Sequence, residues 1–257
     1  MAGTVVIKLG GGLITHKDKL CTINREILDG ITSVLSRTDK KLIIIHGAGS
    51  FGHIKSKKYM LQKGRVQGLD QDKAIAEVRT DMLELNRLVM DSLSSHGIIA
   101  ESYPPHNWAE GTGPDFRGNL PISTGVTVTF GDVVKDNEKE FGILSGDDLV
   151  LRYALETDDV ERVIFAIGGV DGLMKVPPSE ATPDDLIEEL TDEIEYRSEH
   201  YSEIDVTGGI GLKIERGARI AEKGVEVLLV NGYHSERVLS AIEGKMVRGT
   251  KILPRNC

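Results

Sequence analysis

The feature that most limits the fold is a repeated pairing of a short apolar run with a glycine-rich turn. Leu42-Ile43-Ile44-Ile45 leads straight into His46-Gly47-Ala48-Gly49-Ser50-Phe51-Gly52-His53. Such a run reads as a strand buried within a parallel sheet. Small residues after it let backbone N–H groups crowd around an anion, and a helix N-terminus adds to the field. The pattern recurs at Val5-Val6-Ile7-Lys8-Leu9, which precedes Gly10-Gly11-Gly12. A third turn, Gly208-Gly209-Ile210-Gly211, has Lys213 just after it. Three glycine turns with lysines close by point to a protein that handles more than one phosphate group.

At 257 residues the chain fits one large α/β domain or two intimate lobes. Thr4 to Leu9 is the first predicted strand. Thr22 is a candidate cap for a helix to about Ser36, with Ile23, Ile27, Ile31, Val34 and Leu35 on one face. Asp39-Lys40-Lys41 then turns the chain into the second strand, and a right-handed crossover is expected. A long helix is predicted from about Asp70 to Ser95, on the stripe Ile75, Val78, Met82, Leu85 and Val89. Strands follow at Ile98 to Ser102 and within Pro121 to Phe130. Gly131 to Val134 and Phe141 to Leu144 flank a polar turn and read as a hairpin. Ser145 caps a helix from Leu149 to Leu155, and Arg162 to Ile167 is another buried strand. After the third glycine turn come a helix, a strand from Val225 to Val230, a helix from Ser235 to Ile242 and a strand near Val247 to Ile252.

Composition excludes several classes of function. The net charge of −9 argues against nucleic acid, whose backbone needs a basic footprint. Eleven Asp or Glu residues lie between Glu180 and Asp205, a run that reads as solvated surface and leaves the rest near neutral. Lysines gather instead at Lys8, Lys17, Lys19, Lys55, Lys57 and Lys58, as anionic substrates favour. No apolar run approaches the roughly 20 residues that cross a bilayer, so no membrane partner is expected. Met1-Ala2-Gly3-Thr4 enters a strand without a basic leader, and Cys21 and Cys257 are the only cysteines. Both features fit a reducing, cytoplasmic home.

Several candidate residues carry two readings. Lys8 ends an apolar strand, where its charge either snorkels to the surface or meets an anionic partner. Lys17 taken alone reads as a solvated loop residue. No Walker A motif is present. Gly47 to Gly52 matches the dinucleotide fingerprint G-x-G-x-x-G, but the following lysine-rich segment holds no apolar strand ending in an acidic residue. His46 reads as a core histidine. His53, at the mouth of the turn, either has a structural role or hydrogen-bonds the anion. Asp147 and Asp148 either complement a helix dipole or release one carboxylate to orient a lysine or a metal ion.

Taken together, these motifs resemble the amino acid kinase superfamily, and within it the archaeal-type isopentenyl phosphate kinases. The matching residues are Ile7-Lys8-Leu9-Gly10-Gly11, Lys17, the turn His46 to His53, Gly131-Asp132, Ser145-Gly146-Asp147-Asp148, Val170-Asp171-Gly172 and Asp205-Val206-Thr207-Gly208-Gly209. The resemblance implies a three-layer αβα sandwich with a mainly parallel central sheet and two lobes. The acceptor lobe would span about 1–160 and the nucleotide lobe about 161–257. It also implies a homodimer that transfers the ATP γ-phosphoryl group to isopentenyl phosphate with Mg²⁺, giving isopentenyl diphosphate and ADP. By that likeness Lys8 and Lys17 contact the transferring phosphates and Asp147 orients the lysines. Ala48, Gly49, Ser50, Gly52 and His53, with Gly131 and Gly146, hold the acceptor. Lys8, Leu9, Gly10, Gly11, Gly12, Gly49, Asp171, Gly208, Gly209 and Lys213 surround ATP, and no protein metal ligand is assigned.

One departure stands out. The family usually reads T-D-V-D-G where this chain has Gly168-Gly169-Val170-Asp171-Gly172, so glycine replaces an acidic residue at 169. Two rival readings remain: a same-fold kinase for a phosphonate or carboxylate acceptor, as in fosfomycin-type kinases, and a nucleotide-binding protein without turnover. The stripe Ile75, Val78 and Met82 favours an alkenyl acceptor over the first, and the set Lys8, Lys17 and Asp147 argues against the second.

Overall fold

The computed structural model describes residues 3–177, 179–191 and 209–254. Its centre is an eight-stranded sheet. In chain order the strands are β1 (Thr4–Leu9), β2 (Lys41–His46), β3 (Ala100–Ser102), β4 (Val126–Phe130), β7 (Val160–Ile167), β8 (Glu189–Leu190), β9 (Glu226–Asn231) and β10 (Thr250–Ile252). They lie in the order β3-β4-β2-β1-β7-β9-β10-β8. From β3 to β9 every neighbouring pair is parallel, and β10 turns antiparallel against β9. The expected hairpin forms a separate two-stranded sheet from β5 (Asp132–Asp136) and β6 (Glu140–Leu144).

The helices are α1 (Gly11–Ile14), α2 (Arg25–Leu35), α3 (Gly49–Lys58), α4 (Gln71–Ser95), α5 (Gly146–Glu156), α6 (Gly209–Ala221) and α7 (Ser235–Ile242). Side chains alternate across a strand, so β1 feeds two apolar layers. Val5, Ile7 and Leu9 pack with Leu28 and Ile31 of α2, Leu85 of α4 and Val238 of α7. Val6 packs on the opposite side with Leu149 of α5 and Ile214 of α6. The result is the expected α/β sandwich of three layers. Lys8 shares a face with Val6, so it points towards α5 and α6. Among the described residues no helix is long and apolar enough to cross a membrane.

Several boundaries differ from the sequence reading. Thr22 does not cap α2. Thr15 and Ile23 form an antiparallel bridge, and the Thr22 N–H donates to Ser50 Oγ at 3.3 Å. That extended docking delays the helix to Arg25. Asp70 caps α4 by accepting from the Lys73 N–H. The segment Ile98 to Ser102 forms a strand only from Ala100, and Ile99 is 82% exposed. The closing strand is likewise limited to Thr250–Ile252. The third glycine turn is divided: Gly208 and Asp205 to Thr207 lie outside the described residues.

The turns after β1 and β2 touch backbone to backbone. A Cβ on Gly11 would sit 2.2 Å from the Gly49 nitrogen, and one on Gly47 would sit 2.5 Å from the Gly11 nitrogen. Gly49 itself has φ +49, a region open to glycine at little cost. Gly11→Ala is therefore expected to lose at least about 2 kcal/mol in urea unfolding, through strain at a site that cannot relax cheaply. Gly30→Ala lies inside α2, where the new Cβ meets nothing nearer than 3.9 Å. It is expected to be neutral or to gain up to about 1 kcal/mol.

Candidate active site

Ligands in open α/β sheets bind beyond the carboxyl ends of strands, where neighbouring connections leave in opposite directions. Here β1 is that point. Its chain continues to β2 on one side, while β7 pairs on the other. A cavity of about 500 Å³ lies there. Its walls include Gly10, Gly11 and Gly12 after β1, Gly47, Ala48 and Gly49 after β2, Gly131 after β4, and Gly168, Gly169 and Val170 after β7. Gly146 of α5 and Gly209 of α6 complete the ring. Residues at the starts of α1, α3, α5 and α6 thus line one space. Their backbone amides and dipoles favour an anion.

The charged groups converge on Asp147. Ser145 caps α5 by accepting from the Asp147 N–H at 3.1 Å, which leaves the Asp147 carboxylate to turn inwards. One oxygen accepts from Lys8 Nζ at 2.5 Å and the other from Lys213 Nζ at 3.2 Å. Burial raises the cost of the Asp147 charge, but Lys213 and Lys8 together hold its carboxyl below the usual range. The next carboxylate, Asp148, accepts from Arg216 at 2.8 Å. Burial dominates there and pushes the Asp148 carboxyl up. Ser145 thus caps the helix start while the Asp147 carboxylate is turned to Lys8 and Lys213.

Lys17 lines the cavity and folds over the previous turn, where a Cβ on Gly12 would lie 2.2 Å from its Cε. His53, one turn into α3, lines the same cavity beside Gly52, Ile54 and Ser56. Among the described residues the lining therefore unites Lys8, Lys17, Lys213 and His53 with Gly10, Gly11, Gly12, Ala48, Gly49, Gly52, Gly131, Gly146 and Gly209. Val78, Met82, Val133 and Ile143 add apolar wall. Ile75, expected with them, instead lines a separate hollow with Arg79 and Phe141.

Some expected site residues sit elsewhere. Leu9 is buried in the core layer. The Ser50 N–H donates to Thr15 Oγ1 at 3.0 Å, so this amide is already used within the protein. Asp171 lies outside the cavity lining. It accepts from Arg237 at 2.5 Å, Arg248 at 2.6 Å and Asn231 at 3.2 Å. Partial burial raises that carboxyl, but these donors outweigh it and bring it down to about 2. Two contributors escaped the sequence reading. Thr15 donates to the Gly11 carbonyl and accepts from Ser50, tying the two glycine turns together. Arg216 stands three residues after Lys213, one helical turn on, and that spacing was a usable signal.

A model of the amino acid kinase family matches residues 3–231. The chain belongs to the amino acid kinase family. Membership implies the use of ATP. The chain is similar to the isopentenyl phosphate kinase of Methanothermobacter thermautotrophicus, 31% identical over 96% of this chain and 98% of that protein. Among solved structures, an isopentenyl phosphate kinase superposes with a TM-score of 0.80 at 30% identity, over 97% of this chain and all of the other. A substrate complex of an isopentenyl phosphate kinase matches with a TM-score of 0.78 at 26% identity, over 97% and 99% of the two chains.

His46 is buried, as the sequence suggested, and stacks on Phe130 with ring centroids 4.9 Å apart. Its Nδ1 lies 3.2 Å from the Gly47 carbonyl and its Nε2 3.3 Å from Asn86 Oδ1, and the neutral ring donates to one of these oxygens. Burial outweighs these contacts and lowers its pKa to about 4. The unfolded chain, with a histidine near 6.5, binds a proton before the folded one does. Stability from this residue is complete above pH 6.5 and is lost as pH falls towards 4. The expected loss across that window is about 3 kcal/mol. Urea unfolding at stepped pH checks it, and His46→Gln should flatten that part of the profile.

Proposed function

We propose that the protein transfers the γ-phosphoryl group of ATP to isopentenyl phosphate, giving isopentenyl diphosphate and ADP. The supporting observation is one cavity that joins glycine-rich turns and His53 to an apolar wall of Val78, Met82, Val133 and Ile143. The turns suit the acceptor's phosphate and the wall suits its alkenyl chain. The chain's similarity to isopentenyl phosphate kinases supports the same choice. A carboxylate acceptor with an α-amino group gains nothing from that wall.

In this reading the acceptor lies against the N-terminal part, about 1–160, and the nucleotide mainly against 161–257. An oxygen of isopentenyl phosphate attacks the γ-phosphorus as the bond to the β–γ bridging oxygen breaks and leaves with ADP. The attacking oxygen is already anionic, so no general base is required. The catalytic demand is to place two anions end to end and offset their repulsion. Lys8 and Lys213, spaced by Asp147, flank the junction, and Lys17 neutralises charge on the transferring group. His53 clamps the acceptor phosphate. Asp147 already accepts from two lysines, and among the described residues no group of three or more His, Cys, Asp or Glu could hold a metal. Mg²⁺, when bound with ATP, would offset charge on its phosphates. A homodimer belongs to the same reading, on the strength of the family resemblance, and a cytoplasmic home on the strength of the cysteine usage.

Incubation with Mg-ATP and isopentenyl phosphate should release ADP and the diphosphate in equal amounts, read by coupled assay and mass spectrometry. Turnover only with a phosphonate or carboxylate acceptor would favour the fosfomycin-type reading. Nucleotide binding without ADP release would favour a non-catalytic protein. His53→Ala is expected to raise the acceptor KM roughly 10- to 100-fold through loss of a charged hydrogen bond. Lys17→Ala should mainly lower kcat, by roughly 10²- to 10³-fold. Equal small effects at both positions would contradict these roles.

A further inference from the structure

Among the described residues lining the cavity, Asp132 is the one acidic residue. A negative charge there opposes the entry of an anion, so its surroundings matter. Asp132 opens β5 directly after Gly131, and its side chain is fully buried. One carboxylate oxygen accepts from the Val133 N–H at 2.8 Å. The other accepts two donors from a single residue, the His106 N–H at 3.1 Å and His106 Nδ1 at 2.6 Å. A carboxylate can only accept, so Nδ1 carries the proton in this contact. His106 sits on the single helical turn Pro105–Asn107, on the loop between β3 and β4. Nothing in the loop's composition announced a link to the acceptor turn.

We propose that His106 is a positioning residue for the phosphate acceptor: its two donors hold the Asp132 carboxylate compensated and directed away from the incoming anion. The inference rests on the functional reading above, because it concerns the acceptor end of that cavity. Loss of the imidazole leaves a buried carboxylate short of a donor beside the acceptor phosphate. That carboxylate then repels the phosphate at close range, where water screens poorly.

The test compares wild type, His106→Ala and the double variant His106→Ala/Asp132→Asn, with folding checked by circular dichroism. His106→Ala should raise the acceptor KM about tenfold and change kcat and the ATP KM less than twofold. The double variant should bring the acceptor KM back to within about threefold of wild type, since the offending charge is gone. A merely structural clamp gives no such rescue. An unchanged KM in His106→Ala, or a rise that Asp132→Asn does not reverse, overturns the inference and leaves the functional reading intact. A wild type without turnover on isopentenyl phosphate overturns the functional reading instead. Binding of inorganic phosphate, measured by calorimetry on the same three proteins, then decides the role of the pair. The same weakening and rescue support it, and equal affinities or no binding overturn it. Should His106→Ala fail to fold, His106→Leu with and without Asp132→Asn carries the same comparison.

Discussion

The site depends on one buried carboxylate held between two lysines. Asp147 and Lys8 have side chains only 1% and 6% exposed, so neither charge is left to water. Burying such groups is costly unless each meets a partner with good geometry. Here the partners come from three separate elements: β1 supplies Lys8, α5 supplies Asp147 and α6 supplies Lys213. Those elements must pack correctly before the charges can pair. The second ion pair between the same helices, Asp148 with Arg216, fixes their relative position further. A structure of this kind spaces two cations with an anion. In the proposed reaction that spacing is what two phosphate groups need.

The remainder of the cavity follows from glycine. Parallel strands deliver their turns to one edge, but side chains would normally keep those turns apart. At Gly11, Gly47 and Gly49 there is no Cβ, and the backbones close to distances that no side chain would allow. The first amide after each strand extends the sheet ladder, as Gly10 does to Ala166, Gly47 to Leu9 and Gly131 to His46. The turns are thus pinned at their bases and stripped of bulk at their tips. Such a rim offers amides to an anion with little reorganisation.

Much of this was legible in the sequence because each signal was local. An apolar strand followed by glycines marks both the sheet and its binding edge, and Ser145 marks the start of α5. Lys8 was ambiguous because its face is decided by alternation along β1, and its partner lies 139 residues away. The family resemblance tied Asp147 to Lys8 and Lys17, whereas the structure pairs it with Lys8 and Lys213. Asp171 shows the reverse. Its motif suggested a nucleotide contact, but Arg237 and Arg248 arrive from distant segments and claim both its oxygens. Thr15 and His106 carried no local signal, since each acts across a loop contact that only the folded chain creates. Thr22 misled because a good capping residue was drawn into a docking contact with Ser50.

The most direct measurement is a crystal structure with isopentenyl phosphate and a non-hydrolysable ATP analogue bound together. The account expects both in the single cavity. The acceptor phosphate should lie on the turn after β2 within hydrogen-bond reach of His53. The terminal phosphate of the analogue should lie between Lys8 and Lys17, and Asp147 should still bridge Lys8 and Lys213. An acceptor seated away from His53, or two ligands whose phosphates do not share the lysine cluster, would contradict it.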